Sequence, residues 1–283
     1  MEPSARRFGE DFCLTVLTDD PALAAVADAA GVNRIGIDIE TLGKAERQAG
    51  WNTRIERHDW DGLAAVARVV RRAELFVRVN PIHPGTPAEI ETALELGARV
   101  LMLPAFRTAD EAAVFVRTIR GRARAVLLLE MAPAVVRIRE ILAIPGIDEV
   151  MLGLNDLRLQ MGVVNHFEVL ASPLIDMLAA EVGRCRLPLA IGGVGCVGDQ
   201  RMPISTDLVY AQYPRLGATG AWVARSFMRS VVSPDFADAI RALRSRLSEW
   251  AAASPQELES ARAELARAAA RWREGSFQRT AIA

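Results

Sequence analysis

The sequence has little of what holds disulfide-rich or zinc-dependent folds together. It contains three histidines, no two of them at ligand spacing on one predicted helix, and three cysteines that are far apart along the chain. Neither a disulfide framework nor a zinc site of closely spaced ligands is predicted. The cysteines, which we interpret as packing residues, are Cys13, Cys185 and Cys196.

An excess of one charge sign and long apolar runs are also lacking. The formal net charge is -1, which argues against a partner made of nucleic acid and against a polybasic membrane binder. No run reaches the roughly 18 apolar residues of a membrane span. The first residues, MEPSARRFGED, do not resemble a signal peptide. We therefore expect a cytoplasmic protein.

The sequence has almost no lysine: Lys44 is the only lysine among the 34 lysine and arginine residues. An aldolase that works through a Schiff base needs a lysine nucleophile. Lys44 is the only candidate, and it lies in a loop beyond a predicted strand rather than on the strand. This placement disfavours Schiff-base chemistry and favours metal-assisted enolate chemistry. A solvent-facing loop lysine is the alternative interpretation.

Short apolar runs alternate with longer amphipathic ones along the chain. The apolar runs predict strands at 13–18, 34–40, 75–80, 99–104, 124–130, 149–153, 187–193 and 217–227. The amphipathic runs predict helices at 19–31, 59–73, 86–98, 108–121, 132–146, 172–185 and 235–250. About eight strand–helix units predict a (β/α)8 TIM barrel of the α/β class. A doubly wound open sheet is disfavoured, because no glycine-rich phosphate motif follows the first strand.

The chain divides into two predicted parts. Residues 1–253 form the TIM-barrel catalytic domain, and residues 254–283 form an extra C-terminal helix and tail. The helix is rich in alanine and charge, with few large apolar residues. We expect it to pack on a neighbouring subunit or on the outside of the barrel.

Polar side chains occur where predicted strands end, which in TIM barrels is the catalytic face. They are Asp38, Glu40, Arg78, Asn80, Glu130, Asn155, Asp156, Arg225 and Ser226. Burying such groups unpaired is costly, so they must satisfy one another, a metal or a ligand. A set of structural ion pairs is the alternative to a functional site.

Three roles follow from side-chain chemistry. Glu130 and Asp156 suit Mg²⁺ or Mn²⁺, hard cations that prefer oxygen ligands, with Co²⁺ as a further alternative. Arg78 suits a substrate carboxylate and the oxygen of a developing enolate. His58, in the loop after the second strand, is a candidate acid–base group.

Several stretches resemble the HpcH/HpaI aldolase and citrate lyase β-subunit superfamily. They are AGVNRIGIDIE, LFVRVNP, ALELGARVLMLPAFRTADEA, VLLLEMAPAVVRIREILAIPGIDEVMLGLNDL and GATGAWVARSF, from about residue 14 to residue 230. The resemblance implies a divalent metal on Glu130 and Asp156, and a 2-oxo acid or thioester carbonyl held by Arg78. It also implies a homo-oligomer, a trimer or hexamer that exchanges C-terminal helices. Candidate substrate-binding residues are Asp38, Glu40, Arg47, Pro104, Gly153 and Asn155.

The chain departs from this family at two positions. Thr41 stands where the pyruvate aldolases have a catalytic histidine, and Leu128 stands where they have a glutamine. Lys44, Gln48 and His58 are candidates, together with Arg47, to replace the missing base and to bind the second substrate. The citrate lyase-like branch, which acts on acyl thioesters, also lacks the histidine.

The sequence therefore predicts a carbon–carbon lyase, a metal-dependent aldolase that acts through the enolate of pyruvate or a related 2-oxo acid. The alternative is a citrate lyase-like or citrate-synthase-like enzyme on a CoA or carrier thioester, with Arg54, Arg57 and Arg107 at its entry groove. A non-catalytic scaffold is the third hypothesis, and the intact set of Glu130, Asp156 and Arg78 argues against it.

Overall fold

Eight parallel strands close into a barrel in the computed structural model, which describes residues 3–44, 58–230 and 235–280. The strands follow chain order, and each pairs with the next until the eighth returns to the first. They are β1 (Cys13–Leu17), β2 (Arg34–Asp38), β3 (Glu74–Arg78), β4 (Val100–Leu103), β5 (Arg124–Leu129), β6 (Glu149–Leu152), β7 (Leu189–Ile191) and β8 (Gly220–Trp222). The predicted TIM barrel is confirmed.

Helices surround the barrel. In the described ranges they are α1 (Pro3–Asp11), α2 (Pro21–Ala29), α3 (Trp60–Val69), α4 (Thr86–Glu95), α5 (Ala109–Ile119), α6 (Ala132–Val136), α7 (Ile138–Leu142), α8 (Leu154–Met161), α9 (His166–Leu170), α10 (Pro173–Arg184), α11 (Thr206–Tyr210), α12 (Gln212–Leu216), α13 (Arg225–Ser230), α14 (Phe236–Ala251) and α15 (Pro255–Thr280). None of them has the length and apolar character needed to cross a bilayer.

Two elements depart most from the sequence-based prediction. The helix expected at 132–146 is split, because Arg137 has a non-helical backbone (φ -100°, ψ 15°) between α6 and α7. The last strand is shorter than 217–227, because Arg225 already begins α13. The Asp20 and Asp59 side chains cap α2 and α3, because they accept hydrogen bonds from main-chain N–H groups of these helices.

The alternation of side chains along each strand divides the core into two layers. Residues of one parity, such as Ile35 and Ile37 of β2, pack outward against the helices. Residues of the other parity fill the barrel itself. The inward apolar cluster is Phe76, Val100, Met102, Val126, Leu128, Met151 and Ala190. Arg34 and Asp38, at the two ends of β2, have this second parity, so their side chains point toward the barrel interior.

A buried ion pair closes the amino end of the barrel. The Arg34 guanidinium donates to both Glu149 carboxylate oxygens, at 2.9 and 2.6 Å, and both residues are buried. Burial raises the pKa of the nearby Cys13 thiol to about 11. Cys13 and Cys196 are half-buried, whereas Cys185 is exposed at the end of α10, so the packing interpretation was wrong for Cys185.

The C-terminal helix α15 packs against the protein's own outer helices α9, α11 and α12. Leu265 and Ala269 are completely buried in this contact, and the Asn165 side chain donates a hydrogen bond to the Ala269 carbonyl at 3.2 Å. Of the two expected locations, the structure places this helix on the barrel exterior.

The Arg34–Glu149 pair gives a stability prediction. Glu149→Leu leaves a buried guanidinium without its counter-charge, so we expect the free energy of unfolding to fall by about 3–5 kcal/mol. Adding Arg34→Met removes the stranded charge and should recover most of the loss. Urea denaturation of the single and double variants measures both effects.

The control is the exposed pair of Glu91 with Arg122 on the barrel surface. Glu91→Leu should not change unfolding measurably, because solvent screens that pair. An equal loss in the single and double variants at the amino end would contradict the ion-pair explanation.

Candidate active site

An ion pair between neighbouring strands forms the centre of the site at the carboxyl end of the barrel. Asp38 and Arg78 are aligned partners of β2 and β3. The Arg78 guanidinium donates from Nε to Asp38 Oδ1 at 2.8 Å and from Nη2 to Oδ2 at 2.5 Å. Asp38 and Arg78 are 5% and 8% exposed, so this forked pair is almost removed from water.

Each charge of this pair stabilises the ionised form of the other residue. Burial by itself would raise the pKa of Asp38, but the positive charges of Arg78 and Lys44 outweigh burial and hold that pKa far below its ordinary value. Burial would likewise lower the pKa of Arg78, but Asp38 and Glu40, with a contribution from Glu130, raise it. Both side chains are therefore charged throughout the neutral pH range.

Glu40 and Lys44 complete a four-residue charge cluster, which we define as Asp38, Glu40, Lys44 and Arg78. The Lys44 ammonium lies 2.6 Å from Asp38 Oδ2 and 3.4 Å from Glu40 Oε2. Glu40 Oε2 is also 3.5 Å from Arg78 Nε. Lys44 is only 5% exposed, so it is not the solvent-facing loop lysine of the alternative interpretation.

A second network fixes the loop that carries Lys44. The Asn80 Oδ1 atom accepts main-chain hydrogen bonds from Thr41 at 2.8 Å and from Leu42 at 3.0 Å. Asn80 is held in turn by Glu89, which accepts from its Nδ2 at 2.8 Å. His83 Nε2 lies 3.0 Å from the same Glu89 oxygen. The side chain of Thr41 is exposed, so the residue at the usual histidine position lies outside the charge cluster.

Glu130 follows β5 and is buried on the same side of the barrel. Its Oε1 accepts a hydrogen bond at 3.0 Å from the main-chain N–H of Ala105. Ala105 has a left-handed backbone with φ of 52°, unusual for a residue other than glycine, and follows the buried Pro104 at the end of β4. Pro104 thus belongs to the segment that orients Glu130.

Gly153 lies beside Glu130, after β6, and Asp156 follows it in the chain. A Cβ atom on Gly153 would be 2.6 Å from Glu130 Cβ and 2.7 Å from Glu130 Oε2, so the absence of a side chain leaves room for this carboxylate. Asp156 is buried in the first turn of α8, whereas Asn155 is exposed and accepts a hydrogen bond from Arg158.

Three other candidates have different placements. His58 Nδ1 accepts a hydrogen bond at 3.0 Å from the main-chain N–H of Asp38, and its Nε2 is 3.9 Å from Asp19. His58 therefore supports the end of β2 rather than entering the charge cluster. Arg47 lies outside the described residues, as do Gln48, Arg54 and Arg57, whereas Arg107 and Arg225 are exposed.

Sequence reasoning missed Trp222, at the end of β8. The Arg78 Cζ atom lies 4.9 Å from the centre of the Trp222 ring, a cation–π arrangement, and the ring packs on the inward apolar cluster. Within the described part of the chain, its buried indole N–H has no hydrogen-bond partner. Strand parity could have identified it, since Gly220 and Trp222 share the inward parity of Asp38.

The amino-acid pattern of residues 13–178 matches the model of the HpcH/HpaI aldolase/citrate lyase family. The chain belongs to this family. Its members are enzymes of the aldolase and citrate lyase type. A comparison with curated protein sequences finds no match to this chain.

Solved structures with this family fold resemble the protein. An HpcH/HpaI aldolase from Desulfitobacterium hafniense DCB-2 has a TM-score of 0.61 at 16% identity, over 80% of this chain and 91% of that one. A family protein from Burkholderia cenocepacia J2315 has a TM-score of 0.58 at 20% identity, over 88% of this chain and 99% of that one. A citrate synthase, SbnG, has a TM-score of 0.59 at 15% identity, over 85% and 98%.

The donor set at Glu130 and Asp156 fits a hard divalent cation. Both carboxylates are buried, and the main-chain N–H of Ala105 fixes the direction of Glu130. In the described ranges, no group of three or more His, Cys, Asp or Glu side chains is arranged to hold a metal. Two carboxylates suffice for Mg²⁺, which commonly takes its remaining ligands from water and substrate.

The close approach of Gly153 to Glu130 gives a prediction. Gly153→Ala places a methyl group against the carboxylate, so we expect the free energy of unfolding to fall by about 1–3 kcal/mol. The matched control is Gly183→Ala in α10, where a Cβ meets no atom within 4 Å. That change should be neutral or stabilising by up to about 1 kcal/mol, as in other helices. Equal values for the two variants in urea denaturation would contradict the packing argument.

Proposed function

We propose that this protein is a divalent-metal-dependent carbon–carbon lyase of the aldolase type, acting through the enolate of pyruvate or a related 2-oxo acid. The observation that carries the proposal is a buried arginine, Arg78, facing into the barrel among the carboxylates of Asp38, Glu40 and Glu130. A guanidinium kept charged in this way suits an anionic substrate whose negative charge grows during reaction.

Arg78 would bind the carboxylate or carbonyl oxygen of the 2-oxo acid and stabilise the enolate oxygen. Asp38 fixes the orientation of the guanidinium through the fork, and Trp222 packs over the guanidinium from β8. Because the group is rigid and largely dry, its charge interacts strongly with an oxyanion.

Glu130 and Asp156 would hold the metal, with Mg²⁺, Mn²⁺ and Co²⁺ as candidates. When bound, the cation would supply Lewis-acid polarisation of the substrate oxygens. The Ala105 N–H would orient the Glu130 carboxylate, and Gly153 leaves room for that carboxylate itself.

The first experiment measures oxaloacetate decarboxylation and deuterium exchange at C3 of pyruvate, with each metal and after chelation. We expect metal-dependent activity in the wild type and a loss of about 100-fold or more in Glu130→Gln, since such an electrostatic contribution is worth several kcal/mol. The control is Glu91→Gln, at an exposed carboxylate on the barrel surface.

Metal binding gives a second readout. Addition of Mn²⁺ should raise the melting temperature of the chelated wild type and of Glu91→Gln, but not that of Glu130→Gln. Wild-type protein that neither decarboxylates oxaloacetate nor exchanges pyruvate with any metal would refute the 2-oxo acid proposal.

A thioester substrate is the second candidate. It is favoured by the placement of Thr41, because the chain has no histidine in the charge cluster, as in the citrate lyase-like branch. Thiol release from acetyl-CoA in the presence of oxaloacetate tests it. Release without pyruvate exchange would favour a citrate-synthase-like or lyase reaction.

The assembly is also a proposal. We propose a cytoplasmic homo-oligomer, a trimer or hexamer, with no nucleic-acid or membrane partner. Exposed apolar side chains support a subunit interface, among them Val136, which is 82% exposed, and Met177, which is 41% exposed. Light scattering of the purified protein tests the subunit number, and a monomeric mass would contradict it.

A further inference from the structure

The only lysine of the chain lies in the candidate site. Lys44 is 5% exposed and donates to Asp38 Oδ2 at 2.6 Å, with Glu40 Oε2 at 3.4 Å. A buried ammonium needs such partners, because an unpaired charge away from water is costly. The loop that carries it is fixed by Asn80, so this placement is built into the fold.

Lys44 is also close to the proposed substrate-binding group. Its Nζ and the Arg78 Nη2 lie 2.6 and 2.5 Å from the same oxygen of Asp38, so the two nitrogens are at most 5.1 Å apart. A substrate held by Arg78 on the side of Nη2 can therefore place an atom within hydrogen-bond reach of Lys44, about 3 Å.

Among the described residues, four groups near this point are poorly suited to donate a proton to a substrate: Arg78, Asp38, His58 and Thr41. The arginine does not release protons in proteins. The pKa of Asp38 is held far below its ordinary value by Arg78 and Lys44, although burial opposes this, so Asp38 has no proton to give. His58 directs Nδ1 at the Asp38 main chain, and the Thr41 hydroxyl is at the exposed side of the loop.

We propose that Lys44 is the general acid that protonates the acceptor carbonyl oxygen in carbon–carbon bond formation, an inference that rests on the proposed lyase function. The enolate C3 forms a bond to the carbonyl carbon of an aldehyde or ketone. The carbonyl π electrons move to oxygen, which takes a proton from Lys44 Nζ, and the neutral amine regains a proton from water. In cleavage, the neutral amine takes the proton from the hydroxyl group, and the carbon–carbon bonding electrons return to the enolate.

Two substitutions separate charge from proton transfer. Lys44→Arg keeps the positive charge between Asp38 and Glu40 but offers no transferable proton, whereas Lys44→Met removes both. The probes are pyruvate with glycolaldehyde or glyoxylate for condensation, and oxaloacetate alone for decarboxylation. Decarboxylation forms the enolate by loss of CO₂ and involves no acceptor oxygen.

We expect Lys44→Arg to lower condensation by about 10²–10⁴-fold, the usual contribution of a general acid, and by a larger factor than oxaloacetate decarboxylation and pyruvate exchange, because neither of these protonates an acceptor oxygen. Unchanged condensation in Lys44→Arg would show that only the charge matters and would overturn the proposal. Parallel loss of all three reactions in Lys44→Arg would also overturn it. So would a wild type that decarboxylates but condenses with neither probe aldehyde, whereas a wild type without decarboxylation refutes the lyase function itself.

Chemical restoration of the amine at position 44 provides a measurement that a purely structural role of Lys44 would not change. Lys44→Cys treated with 2-bromoethylamine restores an amine of lysine length, with sulfur replacing one methylene group. We expect condensation to return, with the fall in rate at alkaline pH beginning at lower pH than in the wild type, because sulfur withdraws electrons from the amine. Wild type treated in the same way is the control, since Cys185 is exposed. Rescue with an unchanged pH profile would contradict proton donation by this group.

Discussion

The ion pair between Asp38 and Arg78 is the interaction on which the carboxyl end of the barrel depends. Strand alternation turns both residues inward on adjacent strands, where neither charge could be buried alone. The same parity places Arg34 and Glu149 at the other end of the barrel. The two ends differ in their further charges: at the carboxyl end Lys44 and Glu40 join the pair, and Glu130 contributes to the charge that acts on Arg78.

The carboxylate of Glu130 is held in a way that a functional site can explain. It receives the Ala105 N–H from a left-handed backbone, and a side chain on Gly153 would collide with it. The left-handed backbone of Ala105 costs conformational energy, yet it gives the carboxylate a fixed direction. A fixed carboxylate at the barrel mouth suits a group that binds a ligand.

Much of this organisation could be predicted from sequence, because period-two alternation and strand ends determine which residues share the barrel mouth. That reasoning found Asp38, Arg78 and Glu130 without knowledge of any distance. It could not identify the contacts between residues distant in sequence that hold these side chains and their loops in place. Asn80 accepts hydrogen bonds from the main chain of the 41–42 loop, and Trp222 lies over Arg78. Both contacts form because strands that are distant in sequence meet in a closed barrel.

The position of Lys44 also depends on contacts that the sequence alone does not show. Placement in a loop argued against a Schiff base, and the structure shows the Lys44 amine in contact with the carboxylates of Asp38 and Glu40. Those contacts fix the amine beside Arg78, where the proposed step needs a proton donor. The loss of a histidine at Thr41 therefore does not leave the site without an acid. A group three residues further along, brought back by the loop to the same aspartate, has the chemistry for that step.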